Sequence, residues 1–199
     1  MTTRVGIIAF DDAEVLDVMG PFEVFAVAGR ISSPSAFDVA VVSAGESRTV
    51  TLRHGLAITT HEALAGVGEL DLIVVAGGVT TGAEADQTLL AWLRDRAPHT
   101  PHLASICTGA FILAEAGVLT DHRVTTHWED QAELARRFPA RTVLPDRRWV
   151  DAGPLHTSGG ISAGIDLSLH LVEVLAGRQL AERTARQMEY RFVDCGVCA

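Results

Sequence analysis

Four short apolar runs recur along the chain without clean polar alternation, and stretches of helical periodicity separate them. They are Val5-Gly-Ile-Ile-Ala-Phe10, Phe37-Asp-Val-Ala-Val-Val-Ser43, Asp71-Leu-Ile-Val-Val-Ala-Gly-Gly78 and His102-Leu-Ala-Ser-Ile106. A strand that is apolar on both faces must be covered on both faces, which is the situation in a parallel sheet flanked by helices. Helical patterns are read at 18–29, 83–96 (stopped by Pro98), 109–117 (closed by Gly117), 129–138, 164–176 and 180–190. Shorter strands are read at 123–126, 148–150 and 155–157. Alternating strand and helix predict a single-domain open α/β sandwich, mostly parallel, with helices on both faces. At 199 residues the chain fits one domain, read here as 1–190 followed by a C-terminal tail at 191–199.

Composition removes several chemistries. No lysine occurs, so a Schiff-base lysine and a P-loop lysine are both excluded. No asparagine occurs, which removes a papain-like Cys-His-Asn arrangement. A formal charge of −9 argues against nucleic-acid binding by this chain alone, since that needs a basic face to displace counterions. No apolar run reaches the roughly 18–20 residues needed to span a bilayer, and Met1-Thr-Thr-Arg4 does not begin a signal peptide. No membrane partner and a cytoplasmic location are therefore expected.

In open α/β sheets reactive groups gather at the carboxyl ends of strands. The segment Ser105-Ile-Cys-Thr-Gly109 runs from a strand directly into a helix and so predicts a nucleophile elbow at Cys107. The positive end of that helix would favour thiolate over thiol. A buried structural cysteine is the competing reading. Gly77 and Gly78 end the neighbouring strand, where the Gly78 N–H could serve as an oxyanion donor. Asp17 begins the first helix and could be an acid or base beside Cys107, with Glu14 and Glu23 as competitors that spacing does not separate. His127 stands at a strand end beside Trp128; the other histidines are scattered without metal-ligand spacing, so no metal site is expected. Cys195 and Cys198 form a C-x-x-C in the tail, away from the strand-to-helix position that redox chemistry wants.

Taken in order, five motifs resemble the ThiJ/PfpI superfamily, whose fold is similar to class I glutamine amidotransferase domains. They are Leu16-Asp-Val-Met-Gly-Pro-Phe-Glu23, Val75-Ala-Gly-Gly78, Ser105-Ile-Cys-Thr-Gly-Ala110, Arg123-Val-Thr-Thr-His-Trp128 and Thr157-Ser-Gly-Gly-Ile-Ser-Ala-Gly-Ile-Asp166. The resemblance implies a catalytic Cys107 with Asp17 as its acidic partner. In the peptidase-like branch a histidine follows the cysteine, and Thr108 stands there instead, which argues against proteolysis. The combination is most similar to isonitrile hydratases and to the sensing domain of AraC-type regulators. The first similarity implies a cofactor-free enzyme that adds water to a small organic isonitrile through a Cys107 thioimidate. In that reading Thr108, Gly78, Gly77, His127 and Trp128 serve the substrate or the developing charge. The second implies a ligand sensor, although a complete regulator would need roughly another hundred residues of helix-turn-helix. A glyoxalase or deglycase reading shares Cys107. The resemblance also implies a homodimer.

Overall fold

The computed structural model describes residues 2–192 and 197–198. In chain order the elements are β1 (Thr3–Ala9), α1 (Val15–Ile31), β2 (Phe37–Ser43), β3 (Thr49–Leu52), β4 (Leu56–Thr59), β5 (Glu62–Ala63) and β6 (Leu72–Val75). Next come α2 (Thr81–Ala85), α3 (Gln87–Arg96), β7 (His102–Ile106), α4 (Gly109–Glu115), β8 (Arg123–Val124), α5 (Gln131–Arg137) and β9 (Thr142–Val143). The remainder is β10 (Trp149–Ala152), β11 (Leu155–Ser158), α6 (Ala163–Ala176), α7 (Arg178–Gln187) and β12 (Val197–Cys198).

The main sheet has the order β12-β10-β11-β7-β6-β1-β2-β5, parallel throughout except for the β10–β11 pair. The apolar runs at 5–10, 71–78 and 102–106 supply its three central strands. Ile7, Ile8, Leu72, Ile73, Val75, Ala104 and Ile106 are fully enclosed, as burial on both faces demands. One layer of cover is made by α1, α6 and α7 packed together, and another by α2, α3 and α4. The expected α/β sandwich is thus the fold. No helix among the described residues is long and apolar enough to cross a membrane.

Three local features depart from the sequence reading. The helix expected at 83–96 is two helices, because the Asp86 side chain accepts the N–H groups of Thr88 and Leu89 and so caps a new helix. The pattern at 129–138 begins as a 3-10 turn over Trp128–Asp130 before α5 starts. A hairpin, β3–β4, was not expected. Its turn rests on His54 and Gly55, both left-handed at φ 62° and 83°, the conformation that matches the twist of paired strands. That hairpin docks on the loop after β1 through Asp12 N–H to Thr51 O (2.8 Å) and Arg53 N–H to Ala13 O (2.9 Å). In the tail, Val197 and Cys198 run parallel to β10, and the pairing of Cys195 with Cys198 lies outside the described residues.

Candidate active site

Strand β7 ends at Ile106 and α4 begins at Gly109, so Cys107 sits on the turn between them with φ at +55°. A non-glycine residue in that region costs on the order of 1–2 kcal/mol and persists only when its surroundings hold it. Here the Cys107 N–H donates toward Ser158 O and Gly159 O, both at 3.2 Å, and Thr126 Oγ1 donates to Cys107 O at 2.7 Å. Gly109 is required by close approach: a Cβ there would stand 2.4 Å from Val75 O and 2.8 Å from Ala76 O. The elbow read from Ser105-Ile-Cys-Thr-Gly109 is therefore present, and it is clamped from β11 and from the loop after β8.

Asp17 faces this thiol from the first turn of α1, and its side chain is fully enclosed. One carboxyl oxygen accepts the Gly77 N–H at 3.2 Å and the other the Ile161 N–H at 3.1 Å, while the carboxyl also hydrogen-bonds Cys107. Burial lifts its pKa to about 7, against the lowering effect of those hydrogen bonds. Glu14 lies at the rim, paired with Arg53, and Glu23 does not line the cavity. Among the acidic candidates Asp17 is the one at the sulfur.

The thiolate expected from a helix N-terminus is not what the surroundings favour. Burial first, and then the neighbouring Asp17 charge, push the Cys107 thiol up to about 12, although the Thr108 N–H hydrogen-bonds the sulfur and pulls the other way. The seven residues of α4 carry little dipole against these two effects. Asp17 and Cys107 consequently behave as one acid pair that retains a proton well above neutrality.

The two glycines of β6's end serve the side chains rather than the cavity. The Gly77 N–H goes to Asp17, and the Gly78 N–H goes to Thr108 Oγ1 at 2.8 Å, whose hydroxyl returns a bond to Gly78 O at 2.9 Å. Gly78 thus has no N–H left for an oxyanion, contrary to the expectation from sequence. Its φ of +139° and a virtual Cβ only 2.4 Å from Asp12 O explain why glycine stands there.

A cavity of about 240 Å³ opens over the sulfur, lined by Cys107, Thr108, Gly78, His127, Ile161, the Glu14–Arg53 pair, Glu129 and Asp130. The volume suits a small molecule. His127 joins the wall with Nδ1 turned to Asp130 (3.4 Å) and Glu129 (3.7 Å). Trp128 tilts against His127 but is 73% exposed and lies outside the lining. Arg53 was missed from the sequence, because only the hairpin brings it here. Gly160 was also missed, although it lies in the quoted motif at 157–166. A Cβ on it would stand 2.2 Å from the His127 ring and 3.1 Å from Cys107 Sγ. We predict that Gly160→Ala displaces His127, narrows the entrance and destabilises the fold by about 1–3 kcal/mol, typical of overpacking. Thiol labelling of Cys107 should slow at least tenfold in that variant; unchanged labelling would disprove the close approach.

The described residues that converge as possible metal ligands are Asp151, His156 and His170, and none of them lines this cavity.

Comparison with known proteins agrees with this architecture. The chain is 33% identical over 193 residues to isonitrile hydratase of Pseudomonas putida, covering 96% of this chain and 79% of that protein. It is 32% identical to the transcriptional regulator CdhR of Pseudomonas aeruginosa over 73% of this chain, which spans only 43% of that regulator. The crystal structure of an AraC family regulator from Pseudomonas putida superposes with a TM-score of 0.82 at 28% identity, covering 94% of this chain and 99% of that one. The sequence profile of the DJ-1/PfpI family matches residues 3–174, the segment that carries seven of the eight strands of the main sheet, the elbow at Cys107 and the facing Asp17; the chain belongs to the DJ-1/PfpI family.

Proposed function

We propose that the protein hydrates small organic isonitriles to N-substituted formamides, with Cys107 as nucleophile and Asp17 as proton carrier. The observation that carries this reading is the buried pair itself: a carboxyl with pKa about 7 hydrogen-bonded to a thiol held protonated. An isonitrile carbon needs one new bond to sulfur and one proton, and a singly protonated pair holds both. Similarity to an isonitrile hydratase over 96% of the chain supports the same reading.

In the first step Cys107 Sγ bonds to the terminal carbon while the thiol proton passes through Asp17 to that carbon, giving R–N=CH–S–Cys107. The Thr108 N–H at the sulfur stabilises the developing thiolate. Water then adds to the same carbon as ionised Asp17 takes its proton and delivers one to nitrogen, giving R–NH–CH(OH)–S–Cys107. The C–S bond breaks, the hydroxyl proton returns to sulfur through Asp17, and R–NH–CHO leaves. The net change is addition of one water. His127 and Arg53 shape the entrance.

Incubation with cyclohexyl isocyanide, followed by mass spectrometry of the formamide, tests the proposal; no formation above the buffer rate rejects it. A second reading, ligand sensing without turnover, is favoured by the similarity to CdhR and to the AraC-type structure. In that case isonitriles bind, seen as a raised melting temperature, without formamide appearing.

A further inference from the structure

A second polar cluster lies at the opposite end of the sheet. Asp151 on β10 stands directly across from His156 on antiparallel β11, and His170 reaches them from α6. The ligand-capable atoms of the three all lie within 4.8 Å of one another. His156, which touches His102, pairs in register with Ala104 of the strand that ends before Cys107, so roughly 10 Å of extended chain separates the two sites.

We propose that Asp151, His156 and His170 bind one divalent transition-metal ion of the zinc type, with His102 orienting His156. His156 is fully enclosed, yet its Nδ1 has no hydrogen-bond partner; it faces Asp151 Oδ1 at 3.4 Å without hydrogen-bond alignment. Its Nε2 lies 3.2 Å from His102 Nδ1. With the His156 proton on Nε2, donated to His102, the Nδ1 lone pair points at a carboxylate, an arrangement that a cation between them stabilises. A hydrogen bond on the far ring nitrogen is the usual companion of a metal-bound imidazole.

The other two ligands are also held in place. His170 stacks on Trp149 with ring centroids 3.9 Å apart, and its Nε2 lies 2.8 Å from Asp151 Oδ2. The Gly153 N–H donates to Asp151 Oδ1 at 2.9 Å. Two imidazoles and one carboxylate form a donor set suited to zinc, with a further position left for water. Ligand atoms bound at about 2.0–2.2 Å to a tetrahedral ion stand roughly 3.3–3.5 Å apart, so side-chain rotations of about an ångström close the triangle. An ion there ties β10, β11 and α6 together.

The test uses the full chain with Cys107, Cys195 and Cys198 changed to serine, so that no thiol competes, after removal of metal by chelation. Titration with ZnCl2 alone should saturate at one equivalent and raise the melting temperature. The same protein loaded with Co2+ should show tetrahedral ligand-field bands without a sulfur-to-cobalt charge-transfer band. Asp151→Asn and His170→Gln should each weaken zinc binding at least tenfold and abolish the melting shift, while their metal-free melting temperatures report whether they fold. Absence of one-equivalent binding, a Co2+ spectrum of the hydrated ion, or affinity unchanged in both variants overturns the proposal.

Discussion

Cys107→Ala should reduce formamide formation from an isonitrile to the uncatalysed rate. Alanine leaves the cavity and Asp17 in place but removes the atom that bonds to carbon, and a proton carrier without a nucleophile offers no covalent route. Cys107→Ser should lie close to alanine, because a hydroxyl is a far poorer nucleophile toward a soft carbon. The fold should survive both changes. The residue is held at φ +55° by backbone hydrogen bonds to Ser158, Gly159 and Thr126 that do not involve the sulfur, so the melting temperature should move by only a few degrees. Intact-protein mass spectrometry should detect one substrate adduct on the native chain under turnover and none on Cys107→Ala. Sustained turnover in the alanine variant would exclude the covalent mechanism.

Asp17→Asn should cost about 10²–10⁴ in kcat/KM, the usual contribution of a positioned proton donor or acceptor. In the native chain kcat/KM should rise as the pH passes about 7, because the singly protonated pair forms as Asp17 ionises, and should hold until the thiol itself titrates near 12. The asparagine variant should lose the inflection near 7. A native profile that falls through pH 7 would mean that the doubly protonated pair is the active form.

Stability gives an independent reading of the same group. A folded-state pKa of about 7 against 3.8 for the free side chain means that the native state prefers the protonated carboxyl. Its contribution is complete below pH 3.8 and is lost as the pH rises through 7, amounting to roughly 4 kcal/mol. Asparagine brings one acceptor to the Gly77 and Ile161 N–H groups and turns an amide N–H₂ toward the other, at about 1–3 kcal/mol. Asp17→Asn should therefore be the less stable protein at pH 5, with the difference shrinking or reversing at pH 8.5. Denaturant melts at the two values check the sign.

Local geometry was readable wherever a short segment dictates its own conformation. Ser105-Ile-Cys-Thr-Gly109 encodes strand, turn and helix within a few residues, and the apolar runs at 5–10, 71–78 and 102–106 can only be strands covered on both sides. Asp17 could be named but not separated from Glu14 and Glu23, since all three lie at or near the first turns of α1. Which of them meets the sulfur depends on how α1 lies against β1, β2 and α6. The left-handed pair His54-Gly55 was the signal for the missed hairpin, and with it for Arg53.

The sequence by itself determined the parallel sheet, its elbow and the chemical types at the site, because each follows from hydrophobic period or from backbone restrictions within one turn. Tertiary structure alone decided the destination of each polar group. It sent the Gly78 N–H to Thr108 instead of the cavity, made Cys107 a buried thiol rather than a thiolate, and gathered Asp151, His156 and His170 from β10, β11 and α6. Hydrogen-bond partners and desolvation depend on distances across the sheet. Those distances are set by packing between elements far apart in the chain, which no local pattern carries.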